Sequence, residues 1–131
     1  YPITDVHGST LGVFGKGCLG TEVGRLAQLL GMNVLYAEHK GASQIREGYT
    51  EFETVLKQAD IVTLHCPLTD TTKNLINAET LALMKPTAYL INTGRGPLVD
   101  EAALLEALEN GKIAGAALDV LVKNYRKRTT H

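Results

Sequence analysis

A glycine-rich sextet, Gly15-Lys16-Gly17-Cys18-Leu19-Gly20, stands between a short apolar run (Leu11, Val13, Phe14) and a segment of helical spacing. A second apolar run (Val34, Leu35, Tyr36) follows and stops at Glu38, eighteen residues beyond Gly20. Such sextets recur by chance, but strand, helix, strand and acid in this order form a unit suited to a dinucleotide. Gly15 permits the tight turn, Gly17 lets the backbone approach a pyrophosphate, and Gly20 lets the helix lie close on the strand. The helix N-terminus then offers unpaired N–H groups to the anion. Glu38 is placed to accept hydrogen bonds from the adenosine ribose hydroxyls. An acid there also repels a 2′-phosphate and so favours NAD over NADP, a preference softened by the neighbouring His39 and Lys40.

The rest of the chain continues the alternation. Val23, Leu26, Ala27 and Leu30 recur at helical spacing, with Gly31 as the stop. Thr50 and Glu53 suggest a capping box for a short helix carrying Val55, Leu56 and Ala59. Ile61 to Leu64 reads as a buried strand ended by His65-Cys66-Pro67. Asn77 caps a helix that Lys85-Pro86 closes, Ala88 to Ile91 is the fourth strand, and Asp100 starts a helix with Leu104, Leu105 and Leu108 inward. Ile113 to Leu118 is the fifth strand. Strands without polar alternation, separated by helices, are buried on both faces, so the fold class is α/β: a doubly wound parallel sheet of the Rossmann type. The expected strand order is 3-2-1-4-5, with the fifth strand an uncovered apolar edge through which a homodimer could form.

Composition bounds the function. A chain of 131 residues that is 44% hydrophobic supports one core. It has no apolar run of the roughly eighteen residues needed to cross a bilayer, and no charged-then-apolar leader is read at its start. Two cysteines, Cys18 and Cys66, give neither a disulfide framework nor a metal pattern, which points to a reducing cytoplasm. Cys18 near a helix N-terminus is either a thiol of lowered pKa or a small residue that fits beside phosphate. Four of the thirteen basic residues fall in the last nine positions, so residues 1–122 carry a net charge of −5. An acidic body argues against nucleic acid as a partner, and the basic end reads as solvated.

In an open parallel sheet the ligand sits outside the carboxyl ends of the strands. The residues at that edge are Glu38, His65 to Thr69, Asn92 to Gly96, and Asp119. Arg95, flanked by two glycines, either points a planar cation at a carboxylate and its adjacent carbonyl or caps a surface loop. Asp119 either accepts from a nicotinamide carboxamide or caps a turn. Cys66 and Pro67 shape the wall near the adenosine, and Pro67 also terminates the strand.

The sextet, His65-Cys66-Pro67-Leu68-Thr69 with Thr72 and Leu75-Ile76-Asn77, the segment Ile91 to Asp100 and Ala116-Ala117-Leu118-Asp119-Val120 together resemble the NAD-binding domain of the D-isomer-specific 2-hydroxyacid dehydrogenases. The tone is nearest the glycerate dehydrogenase and hydroxypyruvate reductase branch. The resemblance implies an oxidoreductase that moves hydride between NAD and a small 2-hydroxy or 2-keto acid such as glycerate, hydroxypyruvate or glyoxylate. It implies that Arg95 is the catalytic arginine and that Gly15, Gly17, Cys18, Leu19 and Gly20 serve the pyrophosphate. Glu38 would serve the ribose, Cys66, Pro67 and Thr72 the adenosine, and Thr93, Gly94, Arg95 and Asp119 the nicotinamide side.

Two departures stand beside these matches. The family builds its substrate domain largely before the glycine loop, where only a short segment stands, so residues 1–10 are read as a connection from an absent substrate domain and 11–122 as the NAD-binding domain. Its catalytic histidine is oriented by a glutamate, and position 124 is Asn124 here. Residues 123–131 are an atypical basic tail, disordered or the product of a shifted reading frame after Val122. The chain alone is therefore expected to bind cofactor without turnover. The alternative is a non-catalytic NAD-binding regulatory or scaffold module.

Overall fold

Strands form where the apolar runs lie and helices where capping residues precede helical spacing. The protein is seen in a computed structural model that describes residues 8–15, 18–67, 69–70, 72–92 and 96–118. Strand β1 spans Thr10–Phe14, helix α1 Cys18–Leu29, β2 Asn33–Tyr36, α2 Phe52–Gln58 and β3 Ile61–Leu64. They are followed by α3 Ala78–Leu83, β4 Tyr89–Asn92, a 3-10 turn Gly96–Leu98, α4 Glu101–Glu109 and β5 Gly115–Leu118.

The five strands are parallel, in the order β2-β1-β3-β4-β5. The expected order 3-2-1-4-5 is thus corrected: β3 lies against β1, in register from Leu11↔Ile61 to Phe14↔Leu64. A clamp pins this register, because Thr10 N donates to Asp60 Oδ2 and Asp60 N to Thr10 O, each at 2.8 Å. Burial agrees with the assignment. Val62, Thr63 and Leu64 are buried between β1 and β4, whereas β2 begins with exposed Asn33 and is half-buried at the edge.

Because the chain reverses direction across the sheet after β2, α1 packs on one face and α2, α3 and α4 on the other. Leu11 and Val13 of β1 meet Ala27 and Val23 of α1. Phe14 joins Phe52, Val55 and Leu56 in the larger cluster, which continues through Leu81, Leu90, Leu98 and Leu104. Gly12 allows this, since a β-carbon there would lie 2.6 Å from Val55 Cγ1.

Two of the expected helix caps form and one does not. Asn77 caps α3 by accepting from Glu79 N and Thr80 N, and Asp100 caps α4 by accepting from Ala103 N. The expected Thr50–Glu53 box does not form: α2 starts after Glu51, because Thr50 is bound along its backbone to Tyr36 O and Glu38 N. On α1 the inward face is Gly20, Gly24 and Ala27, while Leu26, and Leu30 just past the end of the helix, are exposed. Small residues let that stripe approach the sheet, and the approach turns the two leucines outward.

Candidate dinucleotide-binding site

The site begins where β1 and β3 end side by side. Gly15 follows β1 with φ of +91°, a conformation natural to glycine alone, and a β-carbon there would lie 2.6 Å from Cys66 N. His65 N donates to Phe14 O at 2.7 Å and holds the two loops together. A β-carbon on Gly20 would run into the Gly15 carbonyl oxygen, so the first turn of α1 sits directly against the turn that precedes it. Gly15 and Gly20 therefore have the geometry expected of them. Gly17, Thr93, Gly94, Arg95 and Asp119 lie outside the described residues, and Cys18 and Leu19 occupy the first two positions of α1.

A cavity of about 470 Å³ opens at this edge. It brings together Gly15, Glu38, Cys66, Pro67 and Thr72 from the carboxyl ends of β1, β2 and β3 and the loop beyond. Phe14 and Phe52, packed edge to face with centroids 5.3 Å apart, contribute to an apolar lining with Leu75. The Thr72 hydroxyl is used within its own loop: it donates to Pro67 O at 2.7 Å and accepts from Thr69 N at 2.8 Å. Burial pushes the Cys66 thiol above its ordinary range and lowers the His65 imidazole, whose Nε2 lies 2.9 Å from Thr63 Oγ1.

Glu38 stands two residues past β2 and lines the cavity, and its side chain is 2% exposed. Its surroundings differ from the expectation of an acid waiting for a ribose. Arg46 Nη2 lies 2.7 Å from Oε2 and Arg46 Nε 2.9 Å from Oε1. The guanidinium, then the Arg46 and His39 backbone N–H groups, hold the carboxyl down at about 2. Arg46, Tyr49, Phe52 and Leu75 all line the cavity and were not singled out from the sequence. Leu75 carries a sequence signal only as part of Leu75-Ile76-Asn77, Phe52 carries none, and Arg46 stands in a polar loop without periodicity, eight residues past Glu38. The one available signal was a cation within loop reach of Glu38, shared with Lys40.

The residues present fit a dinucleotide: the missing β-carbons at Gly15 and Gly20 let the turn after β1 pack tightly between β3 and the start of α1, and the acid Glu38 lines the cavity at the same edge. Fold and site together define a nucleotide-binding α/β domain. The family model for the D-isomer specific 2-hydroxyacid dehydrogenase NAD binding domain matches residues 1–130. A Haemophilus influenzae protein assigned by name to the 2-hydroxyacid dehydrogenases is 76% identical over 123 residues, covering 94% of this chain and 39% of its own length. Glycerate dehydrogenase of Methylorubrum extorquens is 51% identical over 127 residues, covering 97% of this chain and 39% of the relative. Among solved structures, the NAD complexed form of the D-isomer specific 2-hydroxyacid dehydrogenase of Lactobacillus delbrueckii ssp. bulgaricus superposes with a TM-score of 0.80 at 41% identity, covering 91% of this chain and 38% of that one.

The chain belongs to the D-isomer-specific 2-hydroxyacid dehydrogenases, an NAD-dependent oxidoreductase family, and corresponds to their NAD-binding domain. It spans about two-fifths of the length of these two relatives.

Proposed function

We propose that this chain is the cofactor-holding part of an NAD-dependent dehydrogenase acting on a small D-2-hydroxy acid of the glycerate and hydroxypyruvate type, and that by itself it binds NAD(H) without turnover. The observation that carries this reading is the cavity at the β1–β3 junction, which gathers the glycine turn and Glu38 at one sheet edge. The 51%-identical glycerate dehydrogenase supports the substrate class. When bound, NAD supplies the hydride chemistry. The chain's own residues hold it: the first turn of α1 at the pyrophosphate, Glu38 at the ribose, and Cys66 and Pro67 at the adenosine wall. Arg95 grips the substrate carboxylate and polarises the adjacent carbonyl, and Asp119 holds the nicotinamide carboxamide.

Among the described residues, neither histidine is read as the proton donor for the developing alkoxide. Burial lowers the pKa of His65, whose Nε2 lies 2.9 Å from Thr63 Oγ1, and His39 lines the cavity beside Glu38. Loss of a general acid lowers a rate by roughly a hundredfold to ten-thousandfold. Calorimetric titration of the purified chain with NADH should show saturable binding, with no loss of NADH absorbance on adding hydroxypyruvate or glyoxylate. Arg95→Ala should leave NADH affinity within about twofold, because its partner is the substrate. Steady NADH oxidation that disappears in Arg95→Ala would overturn the claim that this chain binds without turning over.

A further inference from the structure

The Glu38 carboxylate is fully occupied. A carboxylate offers about four lone-pair positions. Oε1 accepts from Arg46 N and Arg46 Nε, both at 2.9 Å, while Oε2 accepts from His39 N at 3.0 Å and Arg46 Nη2 at 2.7 Å and shares Nε at 3.1 Å. A ribose diol that reaches this acid must displace a donor. The two backbone N–H groups belong to the loop that cups the acid, and Glu38 itself is held at its own N–H by Thr50 O at 2.8 Å. The guanidinium is the donor free to move, since the Arg46 side chain is 55% exposed although its partner is buried.

A displaced guanidinium does not go far. It is tethered to the same loop, packs over the Tyr49 ring with Cζ 4.1 Å from the centroid, and shares the cavity wall with His39 and Lys40. A bare acid at the end of β2 rejects a 2′-phosphate. An acid covered by a forked cation presents that phosphate with the group best suited to bind it. Resting on the reading of Glu38 as the ribose acceptor, we propose that Arg46 sets cofactor specificity: it gives way to the ribose diol of NAD and pairs with the 2′-phosphate of NADP, so that this subsite admits both.

The test is calorimetric titration of NADH and NADPH into the purified chain and its Arg46→Gln and Arg46→Lys variants, with folding followed by circular dichroism. The parent should bind both cofactors. Arg46→Gln should weaken NADPH by about tenfold or more while NADH is unchanged or tighter, because a charge-assisted pair is lost on one side and a competing bond on the other. Arg46→Lys should keep part of the NADPH affinity. Added salt should weaken NADPH more than NADH in the parent, and equally in Arg46→Gln. A parent that binds NADH and rejects NADPH, or an Arg46→Gln variant in which the ratio of the two affinities does not move, overturns the proposal. Failure of the folded parent to bind either cofactor would instead sink the cofactor-binding reading on which it rests.

Discussion

Gly20→Ala sets two known effects against each other. Alanine in place of glycine within a helix favours the helix by about 1 kcal/mol. Against this, the new methyl meets the Gly15 carbonyl oxygen and comes within 3.3 Å of Val13 Cγ1. The valine methyl can yield by a few tenths of an ångström. The carbonyl cannot, because Gly15 sits in a left-handed turn pressed against the Cys66 backbone. Overpacking of this kind costs about 1–3 kcal/mol, so the net loss should be up to about 2 kcal/mol. For a chain of this size that lowers Tm by up to roughly 10 °C. Since α1 is pushed from the turn proposed to hold the pyrophosphate, NADH affinity should also fall by about tenfold or more. Gly111→Ala is the control: its φ is +69° and nothing lies within 4 Å of the added carbon. It should cost about 1–2 kcal/mol through backbone strain and leave NADH binding intact. Thermal melts and calorimetry of both variants decide the matter. If Gly20→Ala melts at or above the parent and binds NADH equally well, close packing of α1 on the turn is not what Gly20 provides.

Three further outcomes follow from the described contacts. Glu38 has its folded-state pKa depressed to about 2 from 4.5, so the pair with Arg46 contributes stability in full above about pH 5 and loses it as pH falls toward 2. Urea midpoints taken between those limits should fall more steeply in the parent than in Glu38→Gln, and parallel slopes would contradict the pairing. Burial raises the Cys66 thiol, so in a Cys18→Ser background iodoacetamide should label the folded chain far more slowly than the urea-unfolded one, and equal rates would place the thiol in solvent. Asn77→Ala removes the acceptor of two α3 N–H groups and should cost about 1 kcal/mol with no change in NADH affinity, a separation that melts and titration on one sample would check.

Features that depend on a few adjacent residues were legible in the sequence. The turn at Gly15, the close helix start at Gly20 and the caps at Asn77 and Asp100 rest on backbone sterics and short hydrogen bonds, which residue type dictates locally. The parallel α/β class was legible for a related reason, since uninterrupted apolar runs between helices need cover on both faces. Strand order was not, because β3 is short and apolar and could extend the sheet at either edge, and only the Asp60–Thr10 clamp and the packing of Val55 on Gly12 settle that it lies on the free side of β1 and not outside β2. The outward turn of Leu26 and Leu30 was likewise decided by how closely Gly20, Gly24 and Ala27 let α1 approach. The fate of Glu38 is the clearest case. Its place at the end of β2 follows from the sequence pattern, but its partner comes from an aperiodic loop whose path Thr50 sets by pairing back onto Tyr36 and Glu38. A side chain's hydrogen-bond partners depend on where distant segments meet, and that meeting is fixed by packing over the whole sheet.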